Sequence, residues 1–321
     1  MRDAILALDL GGSKYMAGLV TREGHILKST RGEWESLEGK RVLPQVIKAA
    51  RLLMEEHPEI RLTGVGATIP GLADAQQGVW LEASFSGIRN LPVAAELSRE
   101  FEVPAFADND AQACALAEKL FGGARDCGDF VYLTLSNGVG GAAFSGGRLV
   151  SGNRNNAMEL GHCTVVPDGR PCGCGGRGCL EMYAAGPGIS RTFAELTGRT
   201  GSGTLFAAKE IAQKAREGDL AALEAFGRAA EHLGFALSYA VNLFNPQKII
   251  LGGGLSLAFD VYGDLLRGAL KKHTYHAANP EVPVQATGLG YEGGLLGAAA
   301  VCVCRREHIY YHGLERKEEN G

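Results

Sequence analysis

His162, Cys172, Cys174 and Cys179 gather one imidazole and three thiols at spacings of nine, one and four intervening residues. Such a set would fill a tetrahedral shell around zinc with no open position, so the metal is expected to be structural. The run Pro171-Cys172-Gly173-Cys174-Gly175-Gly176-Arg177-Gly178 cannot build a core but can wrap an ion, which would supply the folding energy the loop lacks. The alternatives are reduced cysteines in a loop, or a disulfide. Cys172 and Cys174 are too close for an easy mutual bridge, and eight cysteines without a secretory leader suggest a reducing compartment. Glu159 and Glu181 flank the segment and would be held at its edges. Cys114, Cys127, Cys163, Cys302 and Cys304 have no comparable setting and read as packed thiols.

Three glycine turns offer phosphate chemistry. Asp9-Leu10-Gly11-Gly12-Ser13-Lys14 sets a carboxylate at a strand end, then two glycines, a hydroxyl and a cation. Glycine N–H groups can approach phosphate oxygens, Ser13 adds a hydrogen bond, and Asp9 could position Mg²⁺ through water. Alone, the same string can be no more than a hairpin turn. Ser136-Asn137-Gly138-Val139-Gly140-Gly141 is a second turn of this kind. No Gly-Lys-Ser/Thr follows it and it leads into a strand, which excludes both the P-loop and the Rossmann fingerprint. Gly252-Gly253-Gly254 follows Ile249-Ile250-Leu251 and precedes a helical pattern, suiting close approach of an adenine or ribose. Each could be a turn needing positive φ; three together favour a shared ligand.

Asp108-Asn109-Asp110 opens a helix expected over Ala111 to Phe121. In isolation it is an N-cap with acids at the positive end of the helix dipole. That same place would keep Asp110 ionised, and an ionised carboxylate there could accept a proton from a sugar hydroxyl attacking a γ-phosphate.

These residues need elements to hold them. Ala4 to Leu10, Tyr15 to Thr21 and Ile26 to Arg31 read as strands, Val42 to His57 as a helix stopping before Pro58, Leu62 to Ile69 and Val103 to Ala107 as strands. Phe130 to Leu135 and Gly141 to Phe144 reopen the strand-turn-strand pattern. Residues 205 to 246 are almost wholly helical in pattern, Lys248 to Leu251 a strand, and Gly293 to Cys304 a final helix. Two lobes follow, each beginning with a hairpin whose turn is rich in glycine, in an α/β fold with a cleft between halves.

Composition sets the outer bounds. With 321 residues, 45% hydrophobic and 21% charged, the chain has room for two ordinary lobes. A net charge of −4 argues against a nucleic-acid-binding face. The first ten residues carry Asp3 and Asp9 and lack a signal peptide's apolar run, and Leu295 to Cys304 is too short to span a bilayer. The expectation is a cytoplasmic protein without membrane contact.

Taken together, the motifs resemble the ROK sugar kinases and sugar-responsive repressors, within the actin-like, sugar-kinase and Hsp70 ATPase superfamily. The resemblance runs from Asp9-Leu-Gly-Gly-Ser-Lys14 through Pro70-Gly71-Leu-Ala-Asp74, Asp108-Asn-Asp-Ala111, Ala115-Leu-Ala-Glu118 and Glu159-Leu-Gly-His162. It continues through Cys172-Gly-Cys-Gly-Gly-Arg-Gly-Cys-Leu-Glu181, Gly252-Gly-Gly254 and Gly294-Leu-Leu-Gly-Ala-Ala299. The cysteine-rich segment is its specific part.

The resemblance implies a two-lobed actin-like ATPase (ribonuclease H-like) fold with a central cleft. Residues 1–117 would form the first lobe and 118–299 the larger, zinc-carrying one, with a helix at about 300–313 packing back on the first and a charged tail over 314–321. It implies an ATP-dependent, glucokinase-like sugar kinase acting on a hydroxyl, the 6-position, of a hexose or N-acylhexosamine, the alternative being a catalytically silent sugar-binding protein. Asp110 would be the general base, and Gly71, Asn109, Glu159, His162 and Glu181 would join it in binding the sugar. His162 would use its other ring nitrogen on zinc with Cys172, Cys174 and Cys179. ATP with Mg²⁺ would lie on Asp9, Gly11, Gly12, Ser13, Lys14, Asn137, Gly138, Gly140, Gly253 and Gly254. A homodimer or homotetramer is implied as well. The family's repressors carry a winged helix ahead of the first phosphate loop, and with Asp9 so near the first residue none is expected here.

The chain departs from the family pattern in three places. Ser136-Asn137-Gly138 replaces the usual Gly-Thr-Gly, though Asn137 can still donate to phosphate. Met158 stands where glycine or alanine is common. Phe85 and Ile88 fall where many members set Asn and Trp against the sugar.

Overall fold

The structure, a computed structural model, describes residues 2–83, 86–199, 205–279 and 281–311. In chain order it runs β1 (Arg2–Leu10), β2 (Lys14–Val20), β3 (Ile26–Glu33), α1 (Val42–Glu55), β4 (Ile60–Ile69), β5 (Leu72–Asp74), β6 (Val79–Ala83), β7 (Ile88–Leu91), α2 (Val93–Phe101), β8 (Ala105–Asn109) and α3 (Asp110–Leu120). Then come β9 (Phe130–Leu135), β10 (Val139–Ser145), β11 (Arg148–Leu149), α4 (Glu181–Ala184), α5 (Gly186–Leu196), α6 (Ala208–Arg216) and α7 (Leu220–Phe244). β12 (Lys248–Gly252), α8 (Phe259–His273), β13 (Val284–Ala286) and α9 (Gly293–Glu307) complete it. Two compact units emerge: Met1–Asp126 with Gly147–Ala157 and Leu289–Gly321, and Cys127–Gly146 with Met158–Gly288. No helix among the described residues is long and apolar enough to cross a membrane.

In the first unit the sheet order is β3-β2-β1-β4-β8. The first three strands form an antiparallel meander, while β4 and β8 run parallel to β1. Strand alternation sorts the side chains by face. Leu6, Leu8 and Leu10 join Val65, Ala67 and Ile69 in one buried cluster with Val42, Val46, Ala50 and Leu53 of α1 and Val93 and Leu97 of α2. Truncating one such leucine to alanine costs roughly 2–5 kcal/mol. α9 lies on β1, β4 and β8 and against α3. Gly66 is what permits this approach, because a Cβ there would overlap the carbonyl of Ala298. The antiparallel strands β5, β6 and β7 make a small separate sheet that the hydrophobic pattern does not announce, since strands of three to five residues are too short for alternation to register.

In the second unit, β10-β9-β12-β13 lie side by side, with β9, β12 and β13 parallel and β10 returning antiparallel as the hairpin partner of β9. The helical stretch over 205–246 is two helices. Gly218, at φ 88°, breaks the chain and Asp219 caps α7, its carboxylate accepting from Ala222 N–H at 3.0 Å. Residues 314–321, expected as a charged tail, lie outside the described residues. Cys127, Cys302 and Cys304 are buried and Cys114 partly so, but Cys163 is exposed and is not a packed thiol.

Candidate functional site

Strand register brings the first unit's polar motifs into one row. Asp9 stands opposite Thr68, and Thr68 opposite Asp108, at the C-terminal ends of three adjacent parallel strands. The tips of such strands are where α/β sheets carry their ligands. β8 runs two residues beyond the expected Ala107, so Asp108 and Asn109 belong to the strand and Asp110 is the first residue of α3. Asn109 is the N-cap, its Oδ1 accepting from Ala111 N–H at 2.9 Å and Gln112 N–H at 3.2 Å. Its Nδ2 donates to the carbonyl of Gly71 at 3.0 Å, so two of the expected sugar residues are tied directly together. Asp110 Oδ1 accepts from Ala111 N–H at 2.8 Å.

Asp9 takes a hydrogen bond from the Thr68 hydroxyl at 2.7 Å. Burial of its carboxylate pushes it above the ordinary value of 3.8, with Thr68 and Lys14 acting in the opposite direction. The loop after Asp9 is fastened by groups the sequence does not flag. The Trp34 indole donates to the Gly11 carbonyl at 2.8 Å, and the Lys14 ammonium donates to the Tyr291 hydroxyl and lies 4.7 Å from the centre of that ring. Gly12 and Ser13 are exposed.

In the second unit the four expected metal ligands do converge. The ligand atoms of His162, Cys172, Cys174 and Cys179 all lie within 4.8 Å of one another. Cys172 Sγ is 3.7 Å from His162 Nδ1, and Cys174 Sγ is 3.6 Å from Cys179 Sγ. A tetrahedron with arms of ~2.3 Å has edges of roughly 3.8 Å, so the spacing suits zinc. The loop shapes itself through Cys172 N–H to Gly176 O at 3.0 Å and Gly175 N–H to Cys172 O at 3.1 Å. Without a cation, burial and the neighbouring thiols push Cys179 up to about 12, so a bound ion would have to drive off its proton. With Nδ1 turned to the thiols, His162 keeps Nε2 for another partner.

Glu159 is exposed at the start of the short turn that ends at His162. Glu181 begins α4 and is bonded through Oε2 to Val139 N–H at 3.1 Å, beside the turn that carries Asn137 and Gly138. Ser136 and Asn137 are exposed, and Gly140 sits in β10. After β12, Ser256 folds back to donate to the Gly253 carbonyl at 2.7 Å, while Gly254 faces open space. Met158 holds φ 68°, an uncommon setting for a side chain of its size. Ile88 is 1% exposed within the first unit's core cluster, so it packs and does not face a ligand. Phe85 lies outside the described residues.

Comparison with known proteins gives these positions a setting. The family model described as the ROK family matches residues 5–304. A glucokinase of Thermotoga maritima is 33% identical over 311 residues, covering 92% of this chain and 96% of that protein. The DNA-binding transcriptional repressor Mlc of Escherichia coli is 30% identical over 246 residues, covering 75% of this chain and 61% of its own. Among solved structures, a ROK family glucokinase from Streptomyces griseus in complex with glucose and AMPPNP superposes with a TM-score of 0.82 at 30% identity, covering 93% of this chain and 99% of that one.

Proposed function

This chain belongs to the ROK family and has the two-lobed, actin-like ATPase fold of its sugar kinases, and from that premise we propose that it is itself an ATP-dependent sugar kinase. The reaction moves the γ-phosphoryl group to a hydroxyl, the 6-position, of a hexose or N-acylhexosamine. The observation that carries this reading is Asp110, held at the head of α3 by the capped Asp108-Asn109-Asp110 segment, in a chain that matches a glucokinase over 92% of its length.

Asp110 accepts the proton as the sugar oxygen closes on the γ-phosphorus and the bond from that phosphorus to the bridging oxygen breaks to release ADP, which raises the oxygen's nucleophilicity without a charged alkoxide in water. Phosphoryl transfer needs little covalent help, so positioning and charge neutralisation carry most of the acceleration. The N–H groups and Ser13 of the first turn, Asn137 with the second turn, and Gly253-Gly254 would hold the nucleotide. Glu159, His162 and Glu181 accept from and donate to sugar hydroxyls, as do Asn109 and the Gly71 segment. Mg²⁺, when bound, neutralises phosphate charge; Asp9 is the residue that would hold it, through water. Zinc, held by His162, Cys172, Cys174 and Cys179, would order the loop and would take no part in the transfer. A kinase of this kind draws on the ATP of the cytoplasm.

The test is ADP release by the purified protein with Mg-ATP across glucose, mannose, fructose, allose, glucosamine, N-acetylglucosamine and N-acetylmannosamine. Sugar-dependent turnover with at least one of them is expected. Its absence with all, alongside a thermal shift on adding sugar and none on adding ATP, would replace the kinase with a sugar-binding protein.

A further inference from the structure

Glu181 touches both sets of residues the second unit contributes. It lies two positions after Cys179, and its Oε2 accepts from the N–H of Val139 at 3.1 Å, where the Ser136-Asn137-Gly138 turn re-enters β10. The fit is close: a Cβ at Gly138 would stand 2.6 Å from that oxygen, and the carboxylate would have to shift to admit it. The far side of the same turn is fastened from the same segment, by Gly186 N–H donating to the Ser136 carbonyl at 2.8 Å. The segment is itself anchored to the metal loop. Leu180 N–H donates to Cys163 O and Met182 N–H to Cys179 O, each at 3.0 Å. Arg170, just ahead of Pro171, sends its guanidinium to the carbonyls of Met182 at 2.8 Å and Gly188 at 3.1 Å. The segment that follows Cys179 is therefore bonded on one side to the metal loop and on the other to both ends of the glycine turn.

We propose that Glu181 is a positioning residue for the nucleotide, one that couples the metal loop and the sugar to the phosphate-binding turn; this rests on the kinase reading above. An N–H bonded to an ionised carboxylate makes one of the stronger hydrogen bonds available to a backbone, so the turn is set before phosphate arrives. A sugar hydroxyl that draws on the same carboxylate acts on the turn through it. Coupling of this kind is reciprocal, so each ligand alters the affinity for the other by the same factor.

Two substitutions separate the roles. Glu181→Gln keeps an oxygen for Val139 N–H and removes the charge; Glu181→Ala removes both. Zinc-loaded protein, its metal content checked for each variant, is titrated with Mg-ADP by calorimetry without sugar. Glu181→Ala is expected to weaken Mg-ADP about tenfold, the loss that follows from freeing one charge-assisted bond, and Glu181→Gln no more than about threefold. Amide hydrogen exchange at Gly138 and Val139 should quicken in Glu181→Ala and stay near wild type in Glu181→Gln. Unchanged Mg-ADP affinity together with unchanged exchange in Glu181→Ala would overturn the proposal. Wild-type protein that binds no Mg-ADP would instead sink the kinase reading, and the exchange comparison would still decide whether Glu181 holds the turn.

Discussion

The Tyr311 hydroxyl donates to Asp108 Oδ2 at 2.7 Å, so the last described residue of the chain is bonded to the strand end that presents Asp110. Asp108 is fully buried and takes two more donors on Oδ1, Asn155 Nδ2 at 2.8 Å and Asn109 N–H at 2.7 Å. The Arg305 guanidinium lies 3.9 Å from the centre of the Tyr311 ring. Burial pushes the Asp108 carboxyl above its ordinary range, and these donors act against that rise.

Tyr311→Phe removes one donor from this buried carboxylate and fills the same space. Leaving a buried acceptor short of a partner costs about 1–3 kcal/mol, which equilibrium denaturation in urea would register as a lower midpoint at unchanged slope. Since the bond steadies the approach to Asp110, kcat should fall further than sugar affinity.

Asp110→Asn keeps the shape at the head of α3 and deletes the proton acceptor. Turnover should drop by roughly 10²–10⁴-fold, the usual contribution of a general base, while sugar binding measured by calorimetry changes little. A comparable loss in both would mean that Asp110 binds the sugar and does not act on it.

Cys174→Ser alters an exposed ligand of the four-residue cluster and leaves the unit's core untouched. Bound zinc, read by atomic emission, should fall, and the thermal shift produced by sugar should vanish with it. Metal lost while the sugar response survives would uncouple the cluster from carbohydrate recognition.

Asp9 supplies a pH dependence. Its folded pKa is raised above 3.8, so the stability it contributes is complete below about pH 3.8 and is lost as pH rises through the higher folded value. Holding Mg²⁺ requires the ionised form, so Mg-ATP affinity should decline as pH falls through that raised value. Thr68→Val deletes a bond that lowers the pKa and should move the acidic limb to higher pH. Profiles that coincide for the two proteins would show that Asp9 does not control the limb.

Motifs with a dense local signature were legible from the chain. The metal ligands lie on one short loop, so their spacing alone foretells their meeting. The hairpins β1–β2 and β9–β10, and α1 ending before Pro58, follow from alternation and breakers at short range. What could not be read depends on distant pairing. Trp34 and Tyr291 reach the first turn from far along the chain, and no local pattern marks either as its fastening. Asp108 and Tyr311 are separated by 203 positions. Glu181 was legible as a carboxylate beside the metal, but its grip on Val139 depends on how α4 meets β10, which spacing does not encode. Ile88 falls where the family resemblance sets residues against the sugar, and here that position is claimed by the core.

The helix α9 covers a sheet whose strands were all made before residue 110, and Tyr310 O accepts from Leu149 N–H at 2.7 Å within the same unit. During synthesis, then, the strands β1, β4 and β8 leave the ribosome with one apolar side bare, and the intervening second unit is completed while they wait. The first unit to be translated is the last to be finished. Chains stalled or cut short of α9 would expose that side to chaperones and proteases, whatever the soundness of everything upstream.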